Sequence, residues 1–301
     1  MGTQFWWILD ISILTITLIS VFLSGKKGFA KTVIVMVGYL LGVFLAASVS
    51  GSSAEFIYKK SVKQSNISAI QDALSENDFA SKTKSYIDGL GYNVTVSTSE
   101  LNEIFSDGGD INSSLYTYVN SINGRTVDTK ESFDAKMTEG FAEIMNNILS
   151  SKLTRYAGEM TEEKIRSDMS GFNETLAIMY GQGGSSQNSA TYIEENYTAE
   201  SSIDILKIFC FIIIILFFMT IIKIIAEKLN NGEAVRPIGD IANHVVGGII
   251  GIIEGVVLSF IFIAAVRACV ILGNNEMILF NSETIDKTIL FKYIYSLMVK
   301  L

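Results

Sequence analysis

Four long apolar runs constrain this chain more than any other feature in it. They cover roughly Phe5–Leu23, Phe29–Val49, Ile205–Ile225 and Val245–Leu272. About 20 apolar residues carry a helix across the hydrocarbon of a bilayer. In lipid every backbone N–H and C=O must be bonded within the protein, so a run of this kind crosses as a helix. Only 18% of the residues are charged, where a soluble chain carries about 25%. Between the second and third runs lies a polar region of one domain's size. The sequence therefore predicts an all-α membrane protein. Four transmembrane helices form two hairpins, and an extracytoplasmic helical domain is inserted between spans 2 and 3. The expected segments are 1–50, 51–203, 204–272 and an amphipathic tail, 273–301.

The basic residues set the expected orientation. Lys26, Lys27 and Lys31 follow the first run, and Lys223, Lys228 and Arg236 lie at or between the inner ends of the last two. Lys and Arg favour the cytoplasmic side. The amino terminus, the inserted domain and the tail are then outside. No basic residue precedes Phe5, so the first run lacks the charged start of a cleavable signal. The expected location is the bacterial cytoplasmic membrane, with multiple passes. Cys210 and Cys269, the only cysteines, fall in predicted spans and read as small apolar fillers.

The inserted domain reads as helical. "KESFDAKMTEGFAEIMNNILSSKLTRYAG" places Phe133, Met137, Phe141, Ile144, Ile148 and Leu153 near one face. "STSE", Ser97 to Glu100, has the capping-box pattern. "NVTVS" alone looks strand-like, "GQGGSSQNSA" reads as a flexible linker, and "DGGDIN" reads as a surface turn. Separated helices with few large apolar residues suggest a modest core. Between Gly51 and Ile203 the chain carries 22 acidic and 12 basic residues. That balance excludes a nucleic-acid partner. The tail has Ile289, Leu290, Tyr293 and Leu297 at helical spacing. It is expected to lie on the membrane surface or to pack on the acidic domain, with packing favoured.

The fourth run contains "GGIIGIIEGVV". With about 100° per residue, and Gly247 set at zero, Gly251, Gly255 and Gly248 fall at about 40°, 80° and 100°. Glu254 falls near about −20°, on the edge of the same face. The second run repeats small residues at Gly38, Gly42, Ala46 and Ser50. Small faces let helix backbones approach closely in lipid. Spans two and four are therefore expected to pack tightly, on each other or in a homo-oligomer. An ionised carboxylate at the depth of Glu254 costs about 2.5–3.5 kcal/mol. It is read either as a protonated carboxyl bonded to a neighbouring helix or as a relay in a conduction path. Asp10 and Arg267 lie at comparable depth near the outer side. They form a candidate pair, or Arg267 snorkels to the interface.

Catalytic chemistry has little to work with. The one histidine, His244, sits at the inner mouth of the fourth span. An outer Ser-His-Asp or Cys-His group is not available, and there is no His/Cys set for zinc or Walker motif. No catalytic residue, cofactor or metal is assigned, and the expectation is a non-enzyme.

Two stretches carry a resemblance. "ILDISIL" is followed by Gly25-Lys26-Lys27-Gly28-Phe29 and then the helix with Gly38 and Gly42. Later, "RPIGDIANHVVGGIIGIIEGVV" leads into the glycine-rich last span. In paired order these resemble the bacterial colicin V production protein (CvpA) family, over roughly 5–50 and 204–270, with a looser match at 282–296. The resemblance implies a multi-pass cytoplasmic-membrane protein linked to toxin production or export and envelope homeostasis. In some relatives this module anchors an outer serine protease, which the single inward-facing His244 argues against here. Two departures stand out. Family members often carry a basic residue where Glu254 stands, and the central segment here is large. The expected role is a non-enzymatic scaffold or accessory factor with an envelope or secretion protein as partner. The alternative is an oligomeric channel or transporter with Glu254 in its path.

Overall fold

The computed structural model describes residues 5–27, 29–181, 185–230, 240–273, 277 and 279–300. In chain order the helices are α1 (Trp7–Lys27), α2 (Phe29–Ile57), α3 (Lys63–Glu76), α4 (Phe79–Gly89), α5 (Thr98–Asp107), α6 (Ile111–Asn123) and α7 (Lys130–Ser150). They continue with α8 (Arg155–Ser167), α9 (Met169–Tyr180), α10 (Ser186–Ile193), α11 (Ala199–Asn230), α12 (Asp240–Leu272), α13 (Ser282–Lys287) and α14 (Phe291–Lys300). Two one-turn π-helical segments, Tyr58–Val62 and Glu194–Thr198, interrupt the helical path. Among the described residues there is no strand. The chain divides into two compact units, 1–57 with 203–301, and 58–202.

The first unit holds four helices long and apolar enough to cross a membrane. Its surface agrees with that reading. Ile11, Leu18, Phe22, Leu41, Phe44, Ile213, Phe217 and Ile249 are all exposed. In the second unit Ile122 is the one large hydrophobic residue exposed among those described. Water would not tolerate so extended an apolar surface. The interior of the unit is built from Leu9, Ile13, Val35, Phe211, Ile215, Val257, Ile263 and Phe291.

The tail belongs to this first unit. Phe291 is fully buried and meets the Phe262 ring of α12 edge-on, with centroids 6.1 Å apart. Met298, Ile285, Thr284 and Thr288 are buried as well. The favoured docking on the acidic domain is therefore corrected: α14 packs on α1 and α12. The physical reason is its two-sided apolar pattern. Phe291, Ile294, Tyr295 and Met298 find the apolar helices, and Ile289, Tyr293 and Leu297 remain exposed.

The second unit is a helical domain around α7. Phe133, Met137, Phe141, Ile144 and Ile148 are buried as the spacing predicts, and Leu153 is partly buried against them. Phe79 is a hub, with ring centroids 5.7, 5.6 and 5.8 Å from Phe105, Phe141 and Phe172. This core is larger than the modest one expected, because aromatic residues scattered over four helices converge on one point. Helix starts are fixed by polar caps. The side chains of Asp78, Asp110, Thr129, Thr154 and Asp168 each accept from the backbone N–H three residues on. Gly108, at φ 68°, closes α5 in the left-handed conformation, and Asp110 opens α6 two residues later. "DGGDIN" is thus a helix corner.

Three local expectations are corrected. Ser97 is the N-cap of α5, but its side chain makes no capping bond; its N–H instead donates to the Tyr118 hydroxyl at 2.9 Å. "NVTVS" is an irregular connection whose Val94 and Val96 are buried without a partner strand. In "GQGGSSQNSA" the second half is helix α10. Ser185 caps it by accepting from the Asn188 N–H, and Ala190 and Ile193 are buried. The cap and two apolar anchors outweigh the linker-like composition. Residues 182–184 lie outside the described set.

Candidate functional site

The glycines of α12 form a seam with α1. A Cβ added at Gly255 would stand 2.7 Å from the Thr17 Cα, and one at Gly251 would stand 2.7 Å from the Val21 Cα and 2.9 Å from the Ser20 carbonyl oxygen. One at Gly247 would stand 2.9 Å from the Ser24 oxygen. Gly25 faces the His244 oxygen at 3.4 Å, and Gly248 faces the Val21 side chain at 3.7 Å. Positions fall along α1 as they rise along α12, so the two helices are antiparallel. This is backbone-on-backbone contact, which side chains larger than hydrogen forbid.

The seam does not join the two glycine faces to each other. Gly38 and Gly42 of α2 face Ile222 and the Phe218 Cβ of α11, the latter at 3.3 Å. Ala46 is fully buried and Ser50 nearly so. Both small faces are filled from within the chain, though α2 also lies against α12. The partner stripe in α1, Thr17-Ser20-Val21-Ser24, is a mixture of hydroxyl and small side chains rather than glycine. The Thr17 hydroxyl is satisfied by the Ile13 carbonyl at 2.9 Å, which lets it sit in an apolar helix.

Glu254 sits on the edge of this seam, where the helical wheel puts it, and is 5% exposed. The Ser24 hydroxyl donates to its Oε2. Ser24 is itself fully buried, and its carbonyl accepts from the Thr32 hydroxyl of α2 at 3.1 Å. One carboxylate thus ties α12 to α1, and the same serine ties α1 to α2. Glu254 also lines an open groove with Ile16, Ser20, Leu23, Leu216 and Leu258.

Asp10 and Arg267 are not joined to each other by an ion pair. They hold opposite ends of α14. The Asp10 carboxylate accepts from the backbone N–H groups of Ile289, Leu290 and Phe291 at 2.7, 3.0 and 2.7 Å. Arg267 Nη1 donates to the Met298 carbonyl at 2.7 Å. An anion at the helix start and a cation near its end both match the helix dipole. Free backbone groups of a short helix in an apolar setting are costly, and these two charges satisfy four of them.

Of the residues in the resembling motif, Gly25 lies on the seam. Gly28 and the Phe29 side chain lie outside the described residues, as do residues 231–239 of the loop before α12. His244 Nδ1 contacts the Gly25 carbonyl oxygen at 2.6 Å. Cys210 is buried, Cys269 is partly buried, and both are free thiols.

Sequence reasoning missed one polar centre. Glu194 is fully buried in the helical domain. The Tyr58 hydroxyl donates to its Oε1 at 2.7 Å and Asn66 Nδ2 at 3.1 Å, while the Thr198 hydroxyl donates to Oε2. Asn66 also reaches the Ser202 hydroxyl at 2.8 Å, and Lys63 pairs with Glu195 at 2.7 Å. Both π-helical segments meet here, because Tyr58 opens one and Glu194 the other. Such bulges re-aim side chains. The only signal in the sequence was an acid between apolar helical positions, Ile193 and Tyr197, which also fits a solvated face. Elsewhere in this domain Asp128 is held well down, to about 2, by hydrogen bonds first from Lys136 and then from Ser132.

Compared with known proteins, this chain matches no family model, no curated protein and no solved structure.

Proposed function

We propose that the chain is a CvpA-like multi-pass protein of the bacterial cytoplasmic membrane. It acts as a non-enzymatic scaffold or accessory factor in toxin production or export, or in envelope homeostasis. Two hairpins cross the bilayer, with the Trp7 end, the helical domain and the tail outside. The domain is the part that meets an envelope or secretion protein. The resemblance in the two hairpin motifs supplies the family, and the basic residues at one side of the spans supply the orientation.

One observation carries the scaffold reading. All three ionisable groups singled out in the apolar helices are committed to holding this chain's own elements. Asp10 holds the start of α14, Arg267 holds its end, and Glu254 holds Ser24 across the seam. Intramembrane charges otherwise mark ion or proton paths. Here they serve assembly of the helices.

A second reading rests on the groove beside Glu254. An oligomer lining a path with that groove would conduct ions or protons. Flux into liposomes separates the two, with wild type beside Glu254→Gln. The scaffold reading expects no flux from either protein under proton, sodium or potassium gradients. Flux in wild type that disappears in a folded Glu254→Gln protein overturns it in favour of transport.

A further inference from the structure

The turn between α13 and α14 combines two properties that together suit hydrocarbon rather than water. Its tip is apolar and exposed: Ile289 is 68% exposed, and Leu290 beside it is exposed as well. Its backbone nevertheless asks nothing of a solvent. The Thr288 N–H donates to the Ile285 carbonyl at 3.0 Å. Those of Ile289, Leu290 and Phe291 all donate to the Asp10 carboxylate. That of Lys292 donates to the Thr288 hydroxyl at 2.9 Å. Five successive N–H groups thus find their partners within the first unit. A turn at a watery surface leaves such groups to solvent, whereas backbone in hydrocarbon has to be paired inside the protein.

The seam between α1 and α12 gives the depth of this turn. Facing positions fall by four in α1 as they rise by four in α12, from Val21 opposite Gly251 to Thr17 opposite Gly255. Continued outward, that register sets Asp10 level with Phe262. The tail agrees, because Phe291 bonds to Asp10 through its N–H and lays its ring on Phe262. Asp10 stands sixteen residues from Lys26, the first basic residue at the inner end of α1. That is about 24 Å along a helix, and the hydrocarbon of a bilayer is about 30 Å thick. The Asp10 level, and the turn with it, therefore lies about 6 Å inside the outer boundary. Any tilt of α1 takes it deeper. Trp7 stands about one turn farther out, where an aromatic belt belongs. Around α1, Trp7 and Leu14 both fall within about 60° of Asp10, and both are exposed. The side of α1 that receives the turn is thus apolar and outward-facing above and below it.

We propose that the α13–α14 turn is a re-entrant tip. It dips into the outer half of the bilayer, where Ile289 and Leu290 meet acyl chains. Asp10 is the cap that permits the descent, since it gives three N–H groups the acceptor that water gives them elsewhere. From the tip α14 climbs back with Tyr293 and Leu297 exposed. Lys292 lies over the Tyr293 ring, 5.5 Å from its centroid, and its stem is long enough to carry the charge up to the headgroups. The proposal rests on the reading that α1 and α12 cross a bilayer and goes beyond it. There the tail is simply outside; here part of it is held by lipid.

The test is spin-label accessibility in the full chain, reconstituted in liposomes of phosphatidylethanolamine and phosphatidylglycerol. Cys210 and Cys269 are replaced by alanine, and Ile289→Cys, Glu283→Cys and Leu14→Cys each carry a nitroxide in turn. Ile289 bonds to Asp10 through its backbone, so changing its side chain leaves that bond in place. Molecular oxygen concentrates in hydrocarbon, and a polar nickel chelate stays in water. The label at 289 should collide with oxygen several-fold more often than with the chelate, as the label at 14 does. The label at 283, at the start of α13, should show the reverse order. Asp10→Ala should lift the tip and raise chelate collisions at 289 several-fold; an unchanged ratio would overturn the part given to Asp10. A label at 289 that prefers the chelate, while that at 14 prefers oxygen, puts the tip in water and overturns the proposal alone. A label at 289 that meets neither reagent is covered by protein, a second copy included, and overturns it as well. Preference for the chelate at 14 would defeat the spanning reading itself, and the proposal with it.

Discussion

Gly251→Ala should weaken the joint between α1 and α12, although alanine is the better helix former. The added methyl would stand 2.7 Å from the Val21 Cα and 2.9 Å from the Ser20 oxygen. Both are backbone atoms, so no side chain can swing aside. Restoring a tolerated 3.4 Å separation moves α1 away by about 0.7 Å. A gap of that size forfeits about a quarter to a half of each dispersion contact. With roughly 40 atom pairs across the local seam at about 0.15 kcal/mol each, the loss is about 1.5–3 kcal/mol. The helical preference of alanine over glycine returns about 1 kcal/mol. The net expectation is a destabilisation of about 0.5–2 kcal/mol. The control is Gly51→Ala in α2, where an added Cβ meets nothing within 4 Å; it should be neutral or stabilising. Trp6 and Trp7, the only tryptophans, stand at the start of α1. Their fluorescence during denaturant unfolding in detergent therefore reports this joint rather than the helical domain. A Gly251→Ala protein as stable as Gly51→Ala would refute the seam.

Three other outcomes follow from the polar anchors. Asp10→Asn removes the charge from three hydrogen bonds to the start of α14 and should cost about 2 kcal/mol or more of tail docking; limited trypsin digestion should then cut at Lys287 or Lys292 where wild type resists. Glu194→Ala strands the Tyr58, Asn66 and Thr198 donors in a buried site and should cost about 3 kcal/mol, against less for Glu194→Gln, measured by thermal unfolding of the full chain; equal effects of the two substitutions would mean that volume, not hydrogen bonding, matters there. Asp128, held down to about 2 chiefly by Lys136, contributes stability that is complete above the unfolded carboxyl value of about 3.9 and is lost as pH falls toward 2; Asp128→Asn should flatten that part of the pH–stability curve, and an unchanged curve would contradict the assignment.

Much of the fold is legible in the sequence because lipid imposes one solution on a long apolar run. The lengths of the runs, and the apolar face of α7, follow from periodicity alone. The glycine face of α12 is legible too, and so is the place of Glu254 on its edge. What the stripe cannot specify is whose backbone fills it. Small residues announce close approach, and α1 answers with Thr17, Ser20 and Ser24, hydroxyl residues that do not stand out beside four glycines. Asp10 and Arg267 are suggestive as a pair because opposite charges at one depth invite pairing. The structure gives each a helix end instead, since backbone groups of α14 offer several hydrogen bonds to one charge. Glu194 illustrates the remaining limit. Its burial depends on two π-helical turns far apart in the chain, and no local pattern marks their meeting.

The seam between α1 and α12 within one chain is tested most directly by a disulfide. Cysteines go in at Gly25 and Gly248, with Cys210 and Cys269 replaced by alanine. An added Cβ at Gly25 lies 4.0 Å from the Gly248 Cα, and neither position is closer than 3.4 Å to another atom. That is within reach of a disulfide and leaves the helices in place. On oxidation in native membranes, the account predicts a cross-link that peptide mapping places between residues 25 and 248 and that migrates as a single chain. A covalent dimer, or two thiols that stay reduced, would contradict it.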